Sequence, residues 1–314
     1  MGFWHVEDGR LRPGLAGGGA ESPASVEVVP VDEAEPRFPG LAAARMLAQL
    51  PFAEVSFAEE AGGAVVGVVV LPSRSDPSLP SQRWCFSVER GRLVMAEDGP
   101  FCSEALDRLE RDGVPVDSAR AVLAEVLRET VRDETVLLSH LAEKVQRAEE
   151  TVLADGAGVD RKAMHRDKRL AFELGMFYQS MEDLVEAVAE GGAAPADGEA
   201  RARLESLSRH FGRLATRVQT LHEQCVQLDG LYRDQVAARQ NRVMQWLTVV
   251  ATIFMPLTFV TSWYGMNFPN MGLPGREWGY IVVIAVCVVI AVVEVLWFRS
   301  KGWLSFKDKG AGDR

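Results

Sequence analysis

The sequence is poor in cysteine and histidine, with four cysteines and five histidines among 314 residues. The cysteines form no Cys-x-x-Cys pair, which excludes a cysteine-based zinc site and indicates a reducing compartment without a disulfide framework. The sequence also lacks the Gly-x-x-x-x-Gly-Lys-[Ser/Thr] phosphate loop and any Ser/His/Asp, metal-hydrolase or cofactor constellation. We therefore expect no enzymatic activity. The N-terminus shows no basic stretch followed by an apolar run, so we expect no signal peptide.

Positive charge is scarce over most of the chain. Residues 241–314 carry seven basic and four acidic side chains, which leaves 27 basic and 40 acidic residues for 1–240. This excess of acid disfavours nucleic acid as a partner and suits cations as ligands. It also serves simply to keep a large domain soluble, so the charge alone does not decide between these interpretations.

Charge is absent altogether between Arg242 and Arg276. Within this interval, residues 243–264 form a helix of about 33 Å, enough to cross a hydrocarbon core of about 30 Å. A second apolar run, 279–298, is also long enough. The sequence thus predicts two membrane spans joined by an outer loop, 265–278, and followed by a basic tail, 299–314.

Basic residues set the predicted orientation of the spans. The connecting loop has only Arg276, whereas the flanks of the two spans carry Arg239, Arg242, Arg299, Lys301, Lys307 and Lys309. By the positive-inside rule, both termini face the cytosol of a multi-pass protein in the cytoplasmic membrane. Glu294 is the one charge inside a span, and we expect it to snorkel or to pair with Arg299 near the cytosolic end.

The N-terminal part resembles a small α/β domain, which we place at 1–115. Runs of β type occur in 52–72 and 82–98, and short helices are predicted at 41–50 and 102–113. Ser103 is a candidate N-cap of the latter helix and Gly113 its stop. We expect the first twenty or so residues to be loose.

From 116 to 240 the pattern is helical. Helices are predicted at 117–154 and 160–190, and a third begins near Glu199. In the third, a heptad seam indicates coiled-coil packing; it consists of Leu204, Leu207, Phe211, Leu214, Val218, Leu221, Cys225 and Leu228. With Pro256 as its only proline, this helix is predicted to continue into the first span; the alternative is a break near Gly230.

The stretch QNRVMQWLTVVATIFMPLTFVTSWYGMNFPNM at 240–271 resembles the signature region of the CorA family of divalent-cation transporters. The Trp-Gly-Tyr of 278–280 and WFRSKGWL at 297–304 extend the resemblance, whereas 117–240 agrees in layout only. The resemblance implies a homopentamer in the lipid bilayer. Each subunit would have a cytosolic α/β domain, a stalk helix continuous with the pore-lining first span, and a second span outside it.

The resemblance also implies site residues. Gly265, Met266 and Asn267 would form the filter at the outer mouth. Further in, it assigns the pore and gate to Asn241, Met244, Leu247, Met255 and Thr258. Mg²⁺ prefers octahedral oxygen ligands and loses water reluctantly, so neutral Asn267 amides would recognise the hydrated ion and still release it.

The loop departs from the family pattern. The family reads Met-Pro-Glu-Leu where this chain reads Met271-Gly272-Leu273-Pro274, so that Leu273 replaces the glutamate. Glu277 is a candidate to restore some negative potential, but Arg276 beside it cancels much of the distant field. The departure leaves Zn²⁺ open as an alternative cargo.

Three functions remain open on the sequence. The first is a pentameric, channel-like transporter of Mg²⁺, with Co²⁺ or Ni²⁺ as further ions, gated by cytosolic Mg²⁺ as the resemblance implies. The second is a Zn²⁺ transporter on the same scaffold, and the third a non-conducting, membrane-anchored coiled-coil scaffold or sensor. The regulatory ligands are not identified; Asp229 and Asp234 are weak candidates, better explained as solvated helix positions. His165, His210 and His222 are equally weak candidates for ligands along a zinc path.

Overall fold

The computed structural model describes residues 2–14, 24–35, 38, 46–154, 158–193, 195–196, 198–266 and 278–303. These residues form two compact units, Met1–Leu231 and Tyr232–Arg314. The predicted division into 1–115, 116–240 and 241–314 stays a prediction.

The first unit is built on a seven-stranded sheet with the order β2-β1-β3-β7-β6-β5-β4. Neighbouring strands are antiparallel, except that β3 and β7 are parallel. The strands are β1 Gly2–Glu7, β2 Arg10–Pro13, β3 Ser25–Pro30, β4 Phe57–Ala61, β5 Ala64–Leu71, β6 Gln82–Glu89 and β7 Arg92–Glu97. The β-type runs predicted in 52–72 and 82–98 are thereby confirmed.

The expectation of a loose N-terminus is wrong for residues 2–13. They form the β1–β2 hairpin, which turns at Asp8 and Gly9 with φ of 52° and 70°. Two consecutive positive φ values are what a type I′ hairpin turn requires, and Asp-Gly is a preferred sequence for it. Of the helix predicted at 41–50, residues 46–49 are helical and 41–45 lie outside the described residues.

Strand β5, next to the edge strand β4, shows that the sheet is covered on both faces. All eight of its residues are buried. Val65 and Val69 face the helices, whereas Val66 and Val68 pack against a smaller cluster that includes Phe38 and Met46 on the other side. A strand buried on both faces has a continuous apolar run in place of alternation, as here.

Gly67 in β5 supplies a stability prediction. A Cβ at this position would lie 2.5 Å from Cζ of Phe86 and 2.9 Å from the backbone oxygen of Phe57. We expect Gly67→Ala to lower the free energy of unfolding by about 1–3 kcal/mol through overpacking. Gly99→Ala is the control, since nothing lies within 4 Å of its Cβ. Equal urea midpoints for the two variants would contradict this prediction and show that the neighbours of Gly67 make room for a Cβ without a loss of stability.

The helices that follow the sheet are α1 Phe101–Asp112, α2 Ala119–Glu129, α3 Glu134–Ala154, α4 Arg161–Glu190, α5 Gly198–Gly265 and α6 Gly279–Ser300. Gly113 ends α1 in the left-handed conformation, φ 64°, as predicted. The N-cap prediction for Ser103 is wrong, because α1 begins two residues earlier. The carboxylate of Glu97 caps α1 instead and accepts hydrogen bonds from the backbone N–H groups of Cys102, at 2.6 Å, and Ser103, at 3.1 Å.

The single helix predicted at 117–154 is two helices, because the chain turns at residues 130–133. A buried network holds this turn. Arg74 donates through Nη2 to the carbonyl of Thr130 at 2.5 Å and through Nε to Oε1 of Glu134 at 2.9 Å. Tyr178 of α4 donates to the other oxygen of Glu134 at 2.8 Å. These contacts join residues far apart in the chain, so local periodicity could not reveal the turn.

The α4 and α5 predictions are confirmed. Helix α4 begins one residue later than predicted, and the Asp160 side chain caps it. All eight residues of the predicted heptad seam in α5 are buried. The alternative of a break near Gly230 is wrong, since α5 is one helix of 68 residues that contains Pro256.

Candidate functional site

The second unit contains two segments suited to a membrane. The C-terminal part of α5 and the whole of α6 have the length and apolar composition to cross a bilayer, with mean hydropathy of 1.8 and 3.1. They contain the spans predicted at 243–264 and 279–298. Apart from Glu294 in α6, neither span carries a charge.

The first span has one covered side and one open side. Its partly or fully covered residues are Val249, Ile253, Pro256, Leu257, Val260 and Tyr264. At about 100° per residue, these cluster around one line along the helix. The predicted pore residues lie on the opposite side and are exposed: Asn241, Met244, Leu247, Met255 and Thr258.

Helix α6 has a matching covered stripe, which consists of Gly279, Val282, Val283, Cys287, Ile290, Ala291, Glu294 and Phe298. Spacings of three and four residues place these side chains on one face. We infer that the two spans pack with these stripes facing each other. The predicted pore face is then the side of the first span that the second span leaves free.

The threonine hydroxyls of the first span differ in their hydrogen bonds. Thr248, Thr252 and Thr261 each donate to a backbone carbonyl one turn earlier, at 2.8 Å, 2.8 Å and 3.0 Å. Such bonds satisfy a hydroxyl within an apolar environment. Among the described residues, the Thr258 hydroxyl makes no such bond, so on the open face it remains available to water or to a hydrated ion.

The predicted filter is only partly within the described residues. Gly265 is the last residue of α5, and Met266 follows it with 41% of its surface exposed. Gly265 is not among the residues with positive φ, so it ends the helix without the left-handed conformation common for glycine at helix ends. Asn267, Leu273, Arg276 and Glu277 lie outside the described residues, and their roles stay predictions.

Glu294 does not form the expected pair. Among the described residues no ion pair joins it to Arg299, and its Oε2 atom is buried without a hydrogen-bond partner. It lies on the covered stripe of α6 and is not exposed. The expectation that it snorkels stays a prediction.

The weak metal-ligand candidates are scattered in the first unit and the adjoining part of α5. Asp229 lies 4.0 Å from Lys168, and His222 packs against Phe172 with 5.8 Å between ring centroids. Burial and the nearby Arg213 and Arg128 lower the pKa of His210, and these same arginines disfavour a dication there. His165 and Asp234 are exposed. Within the described ranges no three His, Cys, Asp or Glu side chains form a metal-binding group.

A family model described as CorA-like Mg²⁺ transporter protein matches residues 33–300. The chain belongs to this family. Because the family is one of ion transporters, the expectation that this chain is not an enzyme is confirmed. The predicted fold class is confirmed too: a CorA-family α/β domain, a long helix that continues into the first candidate span, and a second candidate span.

Individual CorA relatives agree with this assignment. A cobalt/magnesium transport protein of Thermotoga maritima is 32% identical over 197 residues, 63% of this chain and 56% of that protein. The complete CorA magnesium transporter structure from Methanocaldococcus jannaschii superimposes with a TM-score of 0.79 at 18% identity, over 96% of this chain and 98% of that one. The ZntB cytoplasmic domain from Vibrio parahaemolyticus shares the fold at a TM-score of 0.53 and 8% identity, over 76% of this chain and 98% of that domain.

The sequence alignment thus spans little more than half of the Thermotoga maritima protein's length. The structural likeness covers nearly all of the chain, but at this identity it shows the fold alone. What this CorA-family chain transports therefore has to be argued from its own residues.

Sequence reasoning missed two features that the structure brings together. One is the Arg74–Glu134–Tyr178 network, whose members are separated by 60 and 44 residues. The other is the covered stripe that separates the open face of the first span from the second span. The stripe can be recognised only from the burial of its residues in the structure, because the apolar run contains no pattern of residue types that distinguishes it.

Proposed function

We propose that this CorA-family protein assembles as a homopentamer and conducts Mg²⁺ across the cytoplasmic membrane, with Co²⁺ and Ni²⁺ as further ions. One observation carries the proposal: the first span has a charge-free open face opposite its covered stripe. Five such faces around an axis would enclose a pore.

The residues on this face suit the passage of a hydrated cation. Met244, Leu247 and Met255 would form apolar constrictions that open and close by wetting and dewetting. Thr258 would add a ring of hydroxyls, and Asn241 a polar ring at the cytosolic mouth. The filter would be Gly265, Met266 and Asn267, where amide oxygens accept hydrogen bonds from the ion's water shell.

The membrane potential would drive the ion inward. With both termini cytosolic, as the basic flanks favour, a dication gains roughly 4.6 kcal/mol per 100 mV, twice the value for a single charge. No nucleotide hydrolysis is then required. In the assembly, cytosolic Mg²⁺ held between acidic subunits would close the pore; the excess of acidic residues in 1–240 supports this proposal.

Zn²⁺ is the second candidate cargo, because Leu273 stands where the family resemblance implies a glutamate and Arg276 offsets the charge of Glu277. The name of the Thermotoga maritima relative, a cobalt/magnesium transport protein, favours Mg²⁺ and Co²⁺. The ZntB likeness concerns the fold of a cytoplasmic domain and does not identify an ion.

Parallel influx measurements distinguish these cargoes. Purified protein in liposomes, under an inside-negative potential, should admit Mg²⁺ faster than Zn²⁺ at equal concentration. Zn²⁺ influx with little Mg²⁺ influx would assign the protein to zinc transport and implicate Leu273. No flux of Mg²⁺, Co²⁺, Ni²⁺ or Zn²⁺ from a folded pentamer would support the non-conducting scaffold.

A further inference from the structure

The first unit contains a cleft of about 980 Å³ that plays no part in the proposed conduction. It lies between the loop that joins β5 to β6, helix α1, the turn that joins α2 to α3, and the first turns of α3. Its volume is at the upper end of the range for small-molecule sites, about 300–1,000 Å³. Its apolar lining consists of Leu71, Pro72, Leu79, Pro80, Phe101, Val136 and Leu137.

The apolar part of the cleft is fixed in shape and open to solvent. The Phe101 ring stacks on the buried Trp84, with ring centroids 6.1 Å apart and planes inclined by 25°. Of the other apolar residues that line the cleft, Val136 on α3 keeps 61% of its surface exposed, and Leu79 keeps 53%. Large aliphatic side chains that remain exposed at the edge of a cleft are suited to cover the flat face of a ligand ring.

Basic side chains from three separate elements line the same cleft. Arg108 comes from α1, Arg132 from the turn, and His140 and Lys144 from α3. This concentration is unexpected in a region with 40 acidic and 27 basic residues. The acids that also line the cleft are Glu129, Asp133 and Glu134.

These cations have few acceptors of their own. Glu129 lies 3.3 Å from Nε of Arg108 and 3.1 Å from Nη1 of Arg132, and Arg132 has a second carboxylate neighbour, Asp112, at 3.9 Å. The buried Nε atom of Arg108 thus has an ion-pair neighbour but no hydrogen-bond acceptor in suitable geometry. Lys144 has its described carboxylate neighbour, Asp167, only at 3.9 Å. Guanidinium donors in excess of acceptors are what a phosphate group recognises best.

Arg74 and Glu134 also line the cleft, but they bind each other and stabilise its wall. Arg74 donates to Glu134, to the Thr130 carbonyl and, at 3.2 Å, to the Pro72 carbonyl, so its hydrogen bonds are already made within the protein. It builds the wall of the cleft and fixes the turn that carries Arg132. One wall of the cleft therefore consists of groups whose hydrogen bonds are already made within the protein. Its rim carries basic side chains whose donors exceed the nearby acceptors.

We propose that this cleft binds a nucleoside polyphosphate. The base would lie on the apolar surface between Phe101 and Val136, and the phosphate groups would accept hydrogen bonds from Arg108, Arg132 and Lys144. A bound ligand would join α1, the turn and α3. This inference does not depend on the identity of the transported ion.

The test uses the full-length protein in detergent, titrated calorimetrically with ATP, with inorganic triphosphate and with adenosine. We expect saturable ATP binding, and at least about tenfold weaker binding of triphosphate and of adenosine, because each offers one half of the recognition. Arg108→Gln should weaken ATP binding at least about tenfold. The control, Arg111→Gln on the same helix, changes an exposed arginine outside the cleft and should stay within about twofold.

Lys144→Gln tests the same site without the risk of disturbing the fold, since Lys144 is exposed and its replacement leaves the core intact. It too should weaken ATP binding. The proposal is overturned if ATP shows no saturable binding, or if the Arg108, Lys144 and Arg111 variants bind it equally. Triphosphate that binds as tightly as ATP would overturn the nucleoside part and leave a simple polyphosphate site.

Discussion

Asn267→Ala is expected to reduce Mg²⁺ influx into liposomes by at least about tenfold. The amide oxygen would accept hydrogen bonds from the ion's water shell, and a ring of methyl groups cannot do so. Because Mg²⁺ keeps its inner waters tightly, a filter has few other means of recognising it. Influx is followed with a Mg²⁺-sensitive dye inside the liposomes under a fixed potential.

Asn270→Ala is the matched control for this variant. Asn270 has the same side chain and lies three residues further along the same loop. It should leave Mg²⁺ influx within about twofold of the unmodified protein. Equal influx through both variants, or equal loss, would contradict an assignment of the filter to Asn267.

The largest expected effect on stability belongs to Glu134→Ala. Glu134 is 2% exposed, and its two oxygens accept from Arg74 and Tyr178. The substitution leaves both donors without their acceptor, and the cost is about 2–4 kcal/mol in the free energy of unfolding. The value is below that of a fully buried ion pair because Arg74 keeps 34% of its side chain exposed to screening water. Urea unfolding of the full-length protein, followed by tryptophan fluorescence, measures it.

The control for Glu134 lies on the same helix. Glu143 forms an exposed pair with Arg147 one turn further along α3. Glu143→Ala should shift the urea midpoint far less, because exposed ion pairs contribute little. A Glu134→Ala midpoint equal to that of Glu143→Ala would show that the network does not stabilise the turn.

Burial and the Glu134 carboxylate both raise the pKa of Tyr178 above its usual value near 10. The phenol therefore remains a protonated donor to Glu134 in the folded protein. The folded state therefore holds the phenol proton of Tyr178 more tightly than the unfolded state does. Stability then decreases as the pH rises above about 10, where the unfolded chain releases the proton.

The long helix was predictable because its signals are local. A heptad seam, an absence of breakers and a charge-free run all belong to one continuous stretch of sequence, and α5 follows them from Gly198 to Gly265. The membrane spans follow from composition in the same way. Periodicity and hydropathy therefore established most of the helical part of this protein.

Other features depend on contacts that no local pattern contains. Helix α1 is capped by Glu97 from the preceding strand, and so Ser103 was misassigned. The turn at 130–133 depends on Arg74, 56 residues away from the carbonyl that it binds. The β1–β2 hairpin is a different case, since Asp8-Gly9 is a hairpin signal that the sequence did contain.

The pore face could be assigned from the sequence only through a family resemblance. Without it, Met244, Leu247 and Met255 are ordinary apolar residues of a membrane helix. The structure adds an independent observation, because the covered stripe that contains Val249, Ile253 and Val260 lies on the opposite side.

Cysteine accessibility tests the central claim most directly. Thr258→Cys is placed in a background without native cysteines, and Mg²⁺ influx is measured before and after a positively charged thiol reagent. Val260→Cys is the matched control, two residues away on the covered stripe. A fixed cation in a narrow pore opposes a dication, so influx through Thr258→Cys should fall by at least about tenfold while Val260→Cys is unaffected. An equal response of the two variants, or no response at Thr258→Cys despite confirmed labelling, would contradict a pore lined by the open face of the first span.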